Sequence, residues 1–470
     1  MKKTFLLSCL MLAAMPVMAA YTGHVYVDKN KNGVFDQSEK PLAGIKVSDG
    51  LNVVETAADG SFTLPGHERE RFIFITTPSG YKTFNRHYHK IEKKQSGYDF
   101  GLIPYSGRIR KDGSHRYIHI TDTEIFNTEN HADWVNNVRD YARNEQAAFI
   151  IHTGDICYEK GLKAHIKLMN TENMDCPVFY CIGNHDLVKG KYGEELFESI
   201  YGPVYYSFDA GNVHYVVTPM SGGDHAPGYT SDDVCRWLKN DLAHIRPGTP
   251  VVVFNHDLLT YEDTFIFKSK NAGSINLNEY NLKAWVYGHW HINYMKKQGD
   301  VYSVCTSSLD KGGIDHSTTA FRVMHVDSKG DFTSELRYTY LDKNICIASP
   351  AGVMASGVLP VAVNVYSSVS PVREVLYTCL ADGKPVLKNK RLLQSTDWSW
   401  NGELPLSHKY VGKELTLRVT ARFNNGEIAE AESNFICRTE KAVPLFSADW
   451  DNLSGNAKHS APVSAPLNLP

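Results

Sequence analysis

Short runs in which apolar and polar residues alternate fill the chain after its first twenty positions. HVYV, AGIKVSDG, SFTLPG and RFIFITT are separated by Gly, Pro, Asn and Asp. A period of two buries one set of side chains and exposes the other, and the intervening residues supply turns, so residues 21–104 are predicted to form a small β-sandwich. From about Tyr117 to Tyr340 the pattern changes to apolar runs that end in polar motifs. Stretches of helical periodicity, HADWVNNVRDYARNEQ and SDDVCRWLKNDLAHI, lie between them. That alternation predicts an α/β layered domain over about 112–343. PVAVNVYSS, REVLYTCL, ELTLRVTARF and AEAESNFIC return to short strands, which predicts a second, immunoglobulin-like β-sandwich over 350–440. Residues 441–470 are rich in Pro, Ser, Asn and Ala and are expected to be a disordered tail.

The first twenty residues, MKKTFLLSCLMLAAMPVMAA, pair two lysines with a short apolar run and end in Ala19 and Ala20. This is the make-up of a secretory signal peptide, and the run is too short and too interrupted by Pro16 for a transmembrane helix. An exported protein of the periplasm or cell surface of a Gram-negative bacterium is expected. Cleavage leaves eight of nine cysteines. Export would permit disulfides, but in a chain of this length core packing is the preferred reading, for Cys157 and Cys181 in particular. With 49 basic and 52 acidic residues the chain has no basic excess, which argues against binding nucleic-acid duplexes.

Within the first sandwich, Asp28, Asn30, Asn32, Asp36 and Glu39 place oxygen donors at positions 1, 3, 5, 9 and 12 of a twelve-residue loop, with Gly33 at position 6. This is the spacing of a structural calcium loop. The helices that usually flank such loops are not predicted, and a polar hairpin with Asn-Gly turn chemistry is the other reading.

Five motifs in the α/β region carry the chemistry. RYIHIT ends in Asp122-Thr123-Glu124, AAFIIHT in Gly154-Asp155, and VFYCI in Gly183-Asn184-His185-Asp186. PVVVFN leads to His256, and KAWVY to Gly288-His289-Trp290-His291. Residues just beyond the carboxyl ends of neighbouring strands face one crevice, so the five motifs should converge. Carboxylates, a carboxamide and imidazoles gathered in one place need cations, and oxygen and nitrogen donors without thiolates suit Mn, Fe, Zn or Mg. His119 and His152 lie inside the preceding strands and are assigned to packing or supporting hydrogen bonds. Tyr158, Lys160 and Lys163 follow Asp155 closely enough to meet a phosphate. His225, in a Gly-rich loop, is read as surface, and Trp290 as packing beside the ligands or facing the cleft.

In order and spacing the motifs resemble the calcineurin-like metallophosphoesterase family, over roughly residues 117–340. The resemblance implies a four-layer catalytic domain, a β-sandwich flanked by helices, set between the two small all-β domains. It also implies one divalent metal held by Asp122, Asp155 and His291 and a second by Asp155, Asn184, His256 and His289. A hydroxide bridging the two metals would attack phosphorus in line, with His185 near the leaving oxygen and Asp186 orienting its imidazole. The first motif departs from the family by carrying Glu124 where histidine is usual. As a ligand, Glu124 would move metal preference toward manganese or magnesium. The three-part architecture resembles an exported bacterial branch, and the first sandwich resembles calcium-loop modules of bacterial surface proteins. The expected substrate is a phosphate-ester small molecule or a phosphorylated glycan, lipid or nucleotide. Phosphodiesters are favoured because no arginines cluster near the motifs. The rival expectation is a catalytically degenerate surface-binding protein that recognises its target through the β modules.

Overall fold

The computed structural model describes residues 20–438 except 96, 342 and 356. The expected leader, apart from Ala20, and the expected tail lie outside the described residues. The chain divides between Tyr340 and Leu341 into two compact units.

The centre of the first unit is a pair of sheets. In one, the strands run in the order Val178–Tyr180, Phe149–His152, His115–Ile120, Ala320–Val326 and Phe332–Tyr338. The first three are parallel, and the last two join antiparallel. In the other, the order is Tyr206–Ala210, Val213–Val217, Val251–Phe254, Leu282–Tyr287, Val301–Cys305 and Tyr294–Gln298, parallel across its four middle strands. The pleat of His115–Ile120 shows how the layers assemble. Tyr117 turns into the core shared with Phe149, Phe208, Tyr215 and Phe254, whereas Ile118 and Ile120 turn toward Trp134 and Val138 of the helix Ala132–Asn144. The helix Ser231–Ala243 sends Trp237 and Leu238 into the first of these cores. This is the four-layer arrangement of helix, sheet, sheet and helix.

The first β-sandwich, with a five-stranded and a four-stranded sheet, has its own core around Val25, Ile73, Ile75 and Leu102. Its other apolar face is continuous with the α/β domain: Val53, Phe72, Phe74 and Tyr88 belong to the same buried cluster as Trp237 and Phe254. Arg71 crosses the junction to Glu194 and Glu198, each at 2.8 Å, and Thr76 Oγ1 meets Ser207 Oγ at 2.9 Å.

The second unit packs a four-stranded sheet and a five-stranded sheet around Val363, Tyr377, Trp400, Leu417 and Phe435. The eight described cysteines are free thiols, and all but Cys346 are buried. No helix among the described residues is long and apolar enough to cross a membrane.

Candidate metal centre

The five motifs lie at the carboxyl ends of strands and meet. His256 Nε2 stands 3.1 Å from Asp155 Oδ2 and 3.9 Å from Asp122 Oδ1, and His291 Nε2 lies 3.3 Å from Asp122 Oδ1 and 3.4 Å from Glu124 Oε1. Asp155, His256 and His289 each offer a ligand atom within 4.8 Å of the other two. Asp122, Asp155 and His256 are buried.

Backbone geometry is unusual at these positions. Asp122, Glu124, Asp155, Cys157, Tyr158, His289 and His291 all have positive φ. Non-glycine residues seldom enter that region, and sites that hold them there are disproportionately functional. Close approach between strand ends is also built in: a Cβ on Gly183 would fall 2.2 Å from Asp155 Oδ1, so only glycine lets the third motif sit against the second.

Electrostatics follow from burial beside carboxylates. Burial opposes charge on His256, but Asp155 against its ring outweighs that cost and lifts the imidazole to about 10. The hydrogen bond to Asp122 raises His291. His119 and His152 are driven well below the ordinary range by burial. Both serve as supports: His119 bridges Thr153 and Thr306, and His152 meets Thr123.

Two buried atoms suit a cation. Asn184 Oδ1 and His256 Nε2 have no hydrogen-bond partner among the described residues, although a buried acceptor or donor left unpaired costs about 1–3 kcal/mol. His256 Nδ1 is fixed by the Thr153 carbonyl at 2.7 Å, which aims Nε2 at the cluster. The donor set fits divalent metals. Asp122, Asp155 and His291 would hold one, with Glu124 on its flank, and Asp155, Asn184, His256 and His289 the other.

Several expectations are corrected or extended. Asp186 does not orient His185. Its carboxylate is fully buried and accepts from the Gly183 and Cys157 amides at 2.9 and 2.8 Å, tying the third motif to the second. Burial, with Asp155 nearby, raises it to about 7. The orienting carboxylate is Asp224, whose Oδ2 lies 2.9 Å from His185 Nδ1. Asp224 sits in the loop that contains His225. Gly223 lets that loop close on the third motif, because a Cβ there would fall 2.3 Å from the Asn184 carbonyl. His225 itself is exposed. Lys311, also not foreseen, pairs with Glu124. Lys163 pairs with Glu159, while the Tyr158 ring lies 5.3 Å from that of His185. Trp290 is anchored through Nε1 to Asp257 at 3.0 Å and stacks on Tyr261. In the polar loop, Asp28 accepts from the Asn32 and Gly33 amides and Glu39 from those of Lys29 and Asp36.

Comparison with known proteins gives two family-model matches: residues 29–104 to the N terminal of calcineurin-like phosphoesterase, and residues 115–293 to calcineurin-like phosphoesterase. The first replaces the surface-module reading of the N-terminal sandwich. Purple acid phosphatase 13 of Arabidopsis thaliana is 26% identical over 215 residues, covering 43% of this chain and 36% of that protein. The match thus spans about a third of the plant relative's length. Similar solved structures include an archaeal phosphodiesterase, with 13% identity, 47% of this chain and 99% of that chain covered, and a TM-score of 0.25. Vacuolar protein sorting 29 from Cryptosporidium parvum is another, with 10% identity, 62% and 98% covered, and a TM-score of 0.26.

Proposed function

Because the chain belongs to the calcineurin-like phosphoesterase family through residues 29–104 and 115–293, we propose that it is a metal-dependent phosphoester hydrolase that acts outside the cytoplasm. The observation that carries the activity is the convergence of Asp122, Asp155, His256, His289 and His291 beside the buried Asn184 carboxamide oxygen, which has no hydrogen-bond partner among the described residues. Divalent cations bound there would supply Lewis acidity and an ionised water at neutral pH. Export rests on the lysine-led apolar leader ending in Ala19-Ala20.

The chain's own groups divide the remaining work. His185 is part-exposed at the mouth, and its Nδ1–H donates to Asp224. In the imidazolium, which Asp224 favours against the cost of burial, Nε2–H is left to give its proton to the departing oxygen. The carboxylate supports the imidazolium and fixes the ring direction, so Asp224 is a positioning residue. Asp155 Oδ1 accepts the His185 amide at 3.0 Å, which ties the proton donor to the ligand cluster.

Three measurements test this reading. A panel of phosphomonoesters and phosphodiesters assayed with manganese, magnesium, zinc and iron should show turnover above metal-free buffer, and no rate with any metal would end the proposal. Asp224→Asn should lower kcat roughly tenfold with metal content unchanged. Its loss should shrink for 4-nitrophenyl esters, whose leaving group needs no proton, and a loss equal for all leaving groups would remove His185 from that role. Glu124→Gln should reduce both bound metal and rate by about tenfold or more, whereas unchanged values would place Glu124 outside the ligand set.

A further inference from the structure

Large apolar side chains left in water are informative when they cluster at a site. In the first unit the exposed aromatic rings are Phe126, Tyr158, Tyr261, Tyr294 and Tyr340. Four of these five follow a proposed ligand by no more than five positions: Phe126 follows Glu124, Tyr158 follows Asp155, Tyr261 follows His256 and Tyr294 follows His291. They form two groups. Phe126 and Tyr158 lie nearly parallel, at 15° with centroids 6.3 Å apart, and Tyr158 reaches the ring of the proton donor His185 at 5.3 Å. Tyr261 stacks on Trp290 at 5.8 Å and 24°, and Trp290 approaches Tyr294 at 6.2 Å. Trp290 is held by Asp257, so this second platform is fixed to the strand ends that carry His256, His289 and His291.

Charge narrows the choice further. Asp224 is part-exposed beside His185, and Glu124 is part-exposed beside His291. Among the described residues, Lys311 is the only lysine or arginine in an ion pair with the carboxylates of the site. Beyond the bound cations, the chain offers a second negative charge on phosphorus no cationic side chain other than Lys311. A phosphodiester carries one negative charge at neutral pH and two organic groups, one for each aromatic group beside the proposed ligands.

Resting on the phosphoesterase reading, we propose that the substrate is a phosphodiester bearing a flat aromatic or heteroaromatic ring. Phe126 and Tyr158 receive the ring on the leaving-group side, and Tyr261 and Trp290 form the platform for the other substituent. Stacking on exposed faces selects a planar ring over a saturated group of equal size.

The test needs ligands that cannot be cleaved. Methyl(2-phenylethyl)phosphinate and methyl(2-cyclohexylethyl)phosphinate are both monoanions with only carbon bonded to phosphorus beside its two oxygens, and their apolar groups are similar in size. Titrated calorimetrically into the full manganese-loaded chain, the phenyl compound should bind about fivefold tighter, equivalent to ~1 kcal/mol. Phe126→Leu together with Tyr261→Leu should remove that preference while both phosphinates still bind. Equal affinities in the unaltered chain, no binding of either compound, or a preference that survives the double substitution would each overturn the inference. If the phenyl preference holds while the ester panel shows no turnover, the hydrolase reading fails and the ring preference stands.

Discussion

Asp155→Asn is expected to reduce phosphoester turnover on the order of 10³–10⁴-fold, the scale lost when one member of a catalytic group acting as a unit is removed. The same carboxylate faces His256 through Oδ2 and holds the His185 amide through Oδ1. No other side chain of the site joins a proposed ligand of each metal to the proton donor. Bound metal, read by elemental analysis, should fall with the rate. Stability of the metal-free protein should fall as well, because Asp155 faces the protonated His256 at 3.1 Å and, against the cost of burial, that imidazole holds its carboxyl below the usual range. A variant that loses activity by unfolding would instead lack a cooperative thermal transition above the assay temperature, in chelator and in metal alike. Retention of both metal and rate would show that Asp155 is not the shared ligand.

Arg71→Ala should cost about 3–5 kcal/mol of stability, because removing one partner of a buried ion pair strands the other. Its guanidinium forks between Glu194 and Glu198, both buried, and lies 4.6 Å over the Tyr192 ring. One positive charge faces two carboxylates, so the cluster retains an excess negative charge that a proton can relieve. Burial raises Glu198 to about 7 against the pull of Arg71, and Glu194 adds to the rise. A carboxyl group whose folded pKa is raised keeps its proton longer folded than unfolded. Its contribution is therefore complete below about pH 4.5 and declines as the pH climbs through about 7. Denaturation midpoints of the chelated protein should fall over that window, and Glu198→Gln should flatten this part of the profile. Arg71→Lys should recover only part of the loss, since the shorter side chain keeps the charge but loses the planar guanidinium that lies over the Tyr192 ring. If Arg71→Ala unfolds at the same denaturant concentration as the unaltered chain, the clamp contributes nothing.

What the sequence revealed was local. Apolar runs such as RYIHIT and KAWVY form strands, and the polar residues that end them form the centre, because a strand's last side chains have one place to go in an α/β sheet. Residues brought in from a distance were not legible. Asp224 reaches His185 from 39 positions away and Lys311 reaches Glu124 from 187 away, and neither stands in a motif. Adjacency misled at Asp186: a neighbour in sequence was assigned to the imidazole, whereas the η-turn through Asn184–Asp186 directs that carboxylate inward onto amides. The Arg71 clamp was hidden because a periodic pattern shows which face of a sandwich is apolar but not which neighbour covers it.

Positive φ at seven centre residues has an implication for protein engineering. Each of these side chains sits where glycine or asparagine would be more comfortable. A library screened for heat resistance alone would therefore enrich replacements at Asp122, Asp155 and His291, and its most robust survivors would be the ones that have discarded their chemistry. Any campaign to toughen this protein should hold those positions fixed and place its mutations in the β-rich unit from Leu341 onward, which carries none of the proposed ligands.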